Sequence, residues 1–232
     1  MADDSSNSVH VTVVIPARNE ERNIVEVLER CKPYADEILV VDGHSTDRTR
    51  EICEELGARV VLDNGKGKGD GIRVAAQESR GEITVFIDAD GSHDPDDIPK
   101  LVELIDRDEA DHVSASRLMG GSSELHGGFD EFFRLMGSSF ITACINKRFG
   151  VKLSESQNGF RALRTEVLRA LNLTENITTI EQEMIMKTLH RGYRMGEVPS
   201  HEYERKHGTS SIRVSRVAFR YVYTLFKYLI FK

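Results

Sequence analysis

Two aspartates separated by one alanine close the run Thr84-Val-Phe-Ile-Asp88-Ala-Asp90. An apolar strand that ends in two carboxylates can present both to one hard cation, and Mg²⁺ or Mn²⁺ suits oxygen ligands of this kind. A metal held there would bridge the two phosphates of a diphosphate. The same tripeptide also arises where acidic residues only cap a following helix, so its meaning depends on the elements around it.

Apolar, β-rich runs at 11–15, 38–41, 60–62, 83–87 and 112–114 alternate with helical patterns at 20–30, 46–56, 69–78 and 95–105. This alternation with short connections predicts an α/β domain with a mainly parallel sheet covered on both faces. Ligands of such sheets sit beyond the carboxyl ends of the strands. Those ends are Pro16-Ala-Arg18-Asn-Glu20, Asp42, Asp63, then Asp88 with Asp90, and Arg117 after the fifth strand. Carboxylates on the rim can accept from ribose hydroxyls or a nucleobase or hold the cation, and an arginine pairs with phosphate. Asp94 and Pro95 read as the cap and first residue of the next helix, and Ser45 and Asp47 as helix-start residues.

No Gly-x-Gly-x-x-Gly follows the first strand, which removes the dinucleotide-binding reading. Gly65-Lys-Gly-Lys-Gly69 lacks the Gly-Lys-Ser/Thr ending of a phosphate loop, which argues against kinase or ATPase chemistry. The 232 residues suit one sizeable domain, and 39% hydrophobic with 30% charged residues marks it as globular. A net charge of −7 argues against nucleic acid as a general partner. Cys31, Cys53 and Cys144 have no metal-ligand spacing and fit a reducing, cytoplasmic setting. Residues 1–8 form a polar, acidic leader without the basic and apolar regions of a signal peptide.

Beyond Arg117 the pattern changes. A glycine-rich stretch at 118–128 leads into an amphipathic run at 129–149 that carries Arg134, Lys147 and Arg148, as a lid or acceptor entrance would; an ordinary surface loop is the simpler alternative. The last run, 219–232, is aromatic and aliphatic with Arg220, Lys227 and Lys232 interspersed. It falls short of the roughly 20 apolar residues that span a bilayer. Residues 212–232 are therefore expected as an amphipathic helix that lies on a membrane surface, or packs on the domain, a membrane partner subunit or a second copy in a homodimer.

With these residues assembled, the chain resembles the family 2 inverting glycosyltransferases of the GT-A fold, in the branch of dolichyl-phosphate mannosyltransferase and related polyprenyl-phosphate hexosyltransferases. The resemblance covers residues 9–211. It rests on the order of Val14-Ile-Pro-Ala-Arg-Asn-Glu20, Val40-Val-Asp-Gly-His-Ser-Thr-Asp47, Gly67-Lys68-Gly69, Phe86-Ile-Asp-Ala-Asp90, Ser116-Arg117, Gln157-Asn-Gly-Phe-Arg-Ala162, Glu197-Val-Pro199 and Arg205-Lys-His-Gly-Thr-Ser210. The resemblance implies a Rossmann-like nucleotide-sugar domain in which Pro16, Arg18, Glu20, Val40 and Asp42 line the nucleotide pocket. Lys68, Asp88, Ala89 and Asp90 would lie against the diphosphate and its Mg²⁺ or Mn²⁺, Arg117 and Arg134 near the acceptor phosphate, and Arg205 over the donor. Asp90, Arg117 and Arg205 are thus the expected catalytic groups. Two positions depart from the pattern: Ser92 stands where a metal-holding glutamine is usual and is expected as the third metal ligand, with His93 or water as alternatives, and Ser211, expected among the nucleotide-sugar-binding residues, stands where a phosphate-neutralising lysine is usual, with Arg213 or Lys206 as substitutes.

The resemblance implies in-line displacement of a hexose from a GDP- or UDP-linked donor onto dolichyl or polyprenyl phosphate, at the cytoplasmic face of a membrane, feeding protein N-glycosylation or surface glycan synthesis. A hydroxyl acceptor, soluble or glycan, would instead need a base, for which Glu181 or Glu183 is the candidate, although both also read as solvated helix residues. Asn158 and Arg161 read as acceptor-pocket residues or, more simply, as a turn asparagine and an exposed arginine.

Overall fold

A computed structural model describes residues 9–123, 129–205 and 214–230, and within the helices at 129–149 and 214–230 the side chains of 135–149 and 219–230. The chain alternates strand and helix from the start: β1 (Val11–Ala17), α1 (Ile24–Cys31), β2 (Glu37–Asp42), α2 (Thr49–Glu55), β3 (Arg59–Leu62), α3 (Lys68–Glu78), β4 (Ile83–Phe86), α4 (Ile98–Asp106) and β5 (His112–Ser116). There follow α5 (Arg117–Gly120), α6 (Phe129–Phe149), β6 (Arg161–Arg164), α7 (Thr165–Ala170), α8 (Ile180–His190), β7 (Met195–Pro199) and α9 (Val214–Ile230). The seven strands form one sheet in the order β3-β2-β1-β4-β6-β5-β7. All pairings are parallel except those of β6, which runs antiparallel between β4 and β5.

The apolar strands divide by period 2 between two cores. Val13, Ile15 and Val85 face α1 and α4 through Ile24, Leu28, Leu101 and Ile105. Val14, Leu39, Val41 and Phe86 face α3 and α7 through Ile72, Ala75, Val167 and Leu168. Each fully buried side chain of this size contributes about 2 kcal/mol of transfer free energy, which fixes the register of the strand ends that carry the rim.

A third cluster joins α6, α8 and α9: Ile141 and Ile145 meet Ile185, Met186, Leu225 and Tyr228. The C-terminal helix is thereby tied to the domain on one side. No described helix is long and apolar enough to cross a membrane.

Candidate active site

Asp88 lies just past β4, where strand geometry gives out and its side chain reaches the crevice. Lys68, at the first turn of α3, donates to Asp88 Oδ1 at 2.8 Å and meets Glu181 Oε1 of α8 at 3.1 Å. His93 Nε2 lies 3.6 Å from Asp88 Oδ2, with its ring 5.3 Å from that of Phe160. Burial works against charge on Asp88, but Lys68 and then His93 outweigh it and hold the carboxyl far below the usual carboxylate range. Lys68 is likewise held protonated: desolvation opposes its charge, and Asp88 and Glu181 overcome it.

Two glycines make this cluster sterically achievable. A Cβ at Gly69 would stand 2.4 Å from the Glu175 carbonyl oxygen, so only glycine lets the 175–176 backbone close over the start of α3 and aim Lys68 at the strand end. A Cβ at Gly159 would stand 2.8 Å from Asp88 Oδ2 and 3.0 Å from Lys68 Nζ. The Gln157-Asn-Gly motif thus brings bare backbone against the ion pair.

Asp90 is anchored on both oxygens. Its Oδ1 accepts from the Ser92 amide at 3.0 Å and hydroxyl at 2.7 Å, while Oδ2 pairs with Arg205 Nε at 3.0 Å. Arg205 comes within reach because the chain after β7 runs back along the Asp-Ala-Asp loop, where the Tyr203 amide donates to the Ser92 carbonyl at 2.8 Å. Glu20, at the entry to α1, accepts from Asn23 Nδ2 at 2.8 Å. Burial pushes its carboxyl up, and the nearby Asp90 charge adds to the rise.

Arg117, at the end of β5, is clasped by two carboxylates. Its Nη2 lies 2.5 Å from Glu155 Oε1, and its Nη1 donates to both oxygens of Glu202 at 2.9 and 2.8 Å. Desolvation works against the guanidinium charge, and the two carboxylates more than restore it. Burial raises Glu155, Arg117 opposes that rise, and Glu202 adds to it.

The family model for glycosyl transferase family 2 matches residues 12–171, from β1 through α7. The chain belongs to that family. It is 32% identical over 196 residues to a dolichyl-phosphate hexose transferase of Haloferax volcanii, across 82% of this chain and 81% of that one. It is 29% identical over 206 residues to glycosyltransferase AglJ of the same organism, across 87% of this chain but 65% of AglJ. It spans 48% of a second, longer hexosyltransferase of that organism. Among solved structures it resembles the glucosyl-3-phosphoglycerate synthase of Mycobacterium tuberculosis crystallised with Mn²⁺, UDP-glucose and phosphoglyceric acid, with a TM-score of 0.76, 22% identity, and 96% of this chain and 80% of that chain covered. At that identity the likeness is one of fold, and the fold is GT-A.

The residues expected to line the nucleotide pocket differ in burial. Val40, on β2, is fully buried in the core on the α1 side of the sheet, so its side chain faces that core. Asp42 is also fully buried, with both oxygens receiving the Ser45 amide at 3.2 and 3.1 Å, an arrangement that closes the turn after β2. Ala89 is buried, Pro16 half-buried and Arg18 exposed. The Ser92 hydroxyl orients Asp90 by donating to it. The Arg134 side chain, Lys206, Ser211, Arg213 and the 1–8 leader lie outside the described residues.

Glu181 and Glu183 are not solvated helix residues; both are buried. Glu181 faces the Lys68 cluster, and its Oε2 is buried without a hydrogen-bond partner. Glu183 accepts from the amides of Thr174 and Glu175, from Tyr228 at 2.7 Å and from Lys187 at 2.8 Å, so it fastens α9 to the 174–175 loop. Asn158 and Arg161 are likewise buried: Arg161 donates to the carbonyls of Asn158 and Glu181 behind the site. Asp94 does cap the turn at Pro95, accepting from the Asp96 amide. Glu155 and Glu202, which hold Arg117, carry no local sequence signal; only the ion-pairing demand of a half-buried arginine points to partners of their kind.

Among the described residues no three His, Cys, Asp or Glu side chains converge to hold a metal by themselves. Asp88 and Asp90 supply two carboxylates, so a cation here would need oxygens from a diphosphate to complete its shell, and two protein carboxylates fit that division.

Proposed function

We propose that this family 2 glycosyltransferase moves a hexose from a nucleoside diphosphate sugar to a polyprenyl phosphate with inversion at the anomeric carbon. The observation that carries the reading is that, among the described residues, the carboxylates meeting Lys68 and Arg205 are each already engaged by a cation. Asp88 is held at low pKa by Lys68, which makes it a poor proton acceptor. Both oxygens of Asp90 are engaged. Glu181 spends one oxygen on Lys68 and has the other buried, and Glu183 is 0% exposed. A hydroxyl acceptor must lose a proton as it attacks; a phosphate monoester, with a second pKa of about 6, is already mostly dianionic at neutral pH. Carboxylates already paired with cations suit the second kind of acceptor, which is also the kind in the name of the Haloferax volcanii hexose transferase.

In this reading Lys68 and Arg205 neutralise the leaving nucleoside diphosphate as charge develops on it. Mg²⁺ or Mn²⁺, held by Asp88 and Asp90 with Ser92 beside them, would supply further charge neutralisation on the same diphosphate. Arg117 receives the acceptor phosphate on the far side of the crevice. The test is transfer from radiolabelled UDP- and GDP-hexoses to a polyprenyl phosphate. A chloroform-soluble, acid-labile product that disappears with EDTA is expected; a product formed only on water-soluble acceptors sinks the reading.

The solvent face of α9 supports a lipid-borne acceptor. Phe219, Val222, Tyr223, Phe226 and Ile230 form one helical stripe, from 43% to 80% exposed, opposite the face that packs on α6 and α8. The 212–232 segment has Arg213, Arg216, Arg220, Lys227 and Lys232 and no acidic residue, in a chain of net charge −7. Among the described residues Arg220 is exposed while Lys227 pairs with Glu175 at 2.8 Å, and an exposed aromatic stripe in a basic segment suits an anionic bilayer surface. Phe226→Glu is expected to release the protein from anionic vesicles in sedimentation, and equal binding of wild type to neutral and anionic vesicles would contradict the charge argument.

A further inference from the structure

In the proposed function Arg117 is the guanidinium that meets the acceptor phosphate, and the role inferred for Glu202 rests on that reading. The group is not open. Glu155 and Glu202 flank it, so the local charge is already negative and a phosphate dianion is repelled until one carboxylate withdraws. The two are not equivalent. Glu155 is 1% exposed and also accepts from the Arg117 amide at 3.2 Å, so it belongs to the seat that fixes the arginine. Glu202 lies on the chain beyond β7, with its side chain 12% exposed. Its backbone is held by isolated bridges to His93 and Ser122 instead of a strand ladder, and the Ser122 hydroxyl reaches its carboxylate at 3.3 Å.

We infer that the Glu202 carboxylate is an internal stand-in for the acceptor phosphate, holding the Arg117 guanidinium until a phosphate displaces it. It presents two oxygens to one guanidinium nitrogen, as a phosphate can. A neutral alcohol or a singly charged phosphodiester has no electrostatic advantage over it, whereas a dianionic monoester does. The same short segment carries Tyr203 on the Ser92 carbonyl and Arg205 on Asp90, so the residue that yields to the acceptor sits on the strap that reaches the donor side.

The experiment is calorimetric titration of the full chain with farnesyl phosphate, with farnesol and UDP as controls. Glu202→Gln and Glu202→Ala should each bind farnesyl phosphate about ten-fold tighter than wild type, because one repelling charge is gone, and Arg117→Gln should lose the binding. Farnesol and UDP should bind all four proteins alike. The inference is overturned if neither Glu202 variant binds more tightly, if farnesol or UDP gains as much as farnesyl phosphate, or if no protein binds it. Failure of the functional reading is seen separately, as wild-type protein that makes no lipid-linked product in the transfer assay whatever the titrations give.

Discussion

The two sides of the proposed crevice, donor and acceptor, hold their cations in different ways. Of the charges assigned to the donor, Lys68 opens α3, Asp88 follows β4 and Glu181 lies in the first turn of α8, each fixed by an element packed on the sheet, while Arg205 reaches Asp90 from the chain after β7. On the acceptor side, Arg117 directly follows β5 but its partners come from the stretch between α6 and β6 and from the chain after β7. Charges built into sheet and helix ends are preorganised, which is what stabilising a leaving group demands. Charges on connecting segments can be exchanged for a ligand's. The contrast fits a site whose donor half, Arg205 apart, is fixed and whose acceptor half is released by its substrate.

The strongest way to break that contrast is at the strand end. Asp88→Asn and Asp90→Asn should each lower kcat on the order of a hundredfold to a thousandfold, measured as transfer to prenyl phosphate, because the leaving-group side has no replacement charge. Next is the fastening of α9 to the 174–175 loop, which in turn closes over Lys68. Glu183→Gln leaves several donors facing a neutral group and should cost about 3 kcal/mol in urea denaturation, against about 1 kcal/mol for Tyr228→Phe. Equal, small effects would show that α9 is held by its apolar contacts alone.

A smaller effect is expected from Gly159→Ala. The new methyl group must push Asp88 and Lys68 apart by a few tenths of an ångström, and donor kcat/KM should fall about ten-fold with little change in melting temperature. The smallest effect lies away from both sides. Asp111 accepts from Arg194 side chain and backbone and from Arg164, and these bonds, chiefly the Arg194 side chain against opposing burial, bring its carboxyl from 3.8 to about 2. Its folded pKa is the lower one, so its stabilisation is complete above pH 3.8 and is lost as pH falls towards 2. Asp111→Asn should flatten the acid limb of unfolding in that window and leave transfer at neutral pH unchanged.

The donor side was the more legible in sequence for the same reason that it is rigid. Asp88 and Asp90 follow an apolar run, Lys68 stands between two glycines at a helix start, and each signal is contiguous. β6 and β7 gave none: Arg161-Ala-Leu-Arg164 and Met195-Gly-Glu-Val-Pro199 are short and mixed, and become strands through pairing with β4 and β5. Val40 and Asp42 sit in a recognisable motif, but burial, which decides whether a motif residue meets ligand or core, is a tertiary property. Glu181 and Glu183, two positions apart in one helix, take different tasks because α8 is buried on several sides by Lys68, the 174–175 loop and α9. Glu155 and Glu202 are distant from Arg117 in sequence, and only the fold brings them to it.

The division of labour is tested most directly by two-substrate steady-state kinetics on Arg117→Gln, varying donor and prenyl phosphate independently. A rise in the prenyl phosphate KM with the donor KM unchanged is the predicted result. A rise that falls on the donor, or equally on both, would contradict an acceptor edge distinct from the donor crevice.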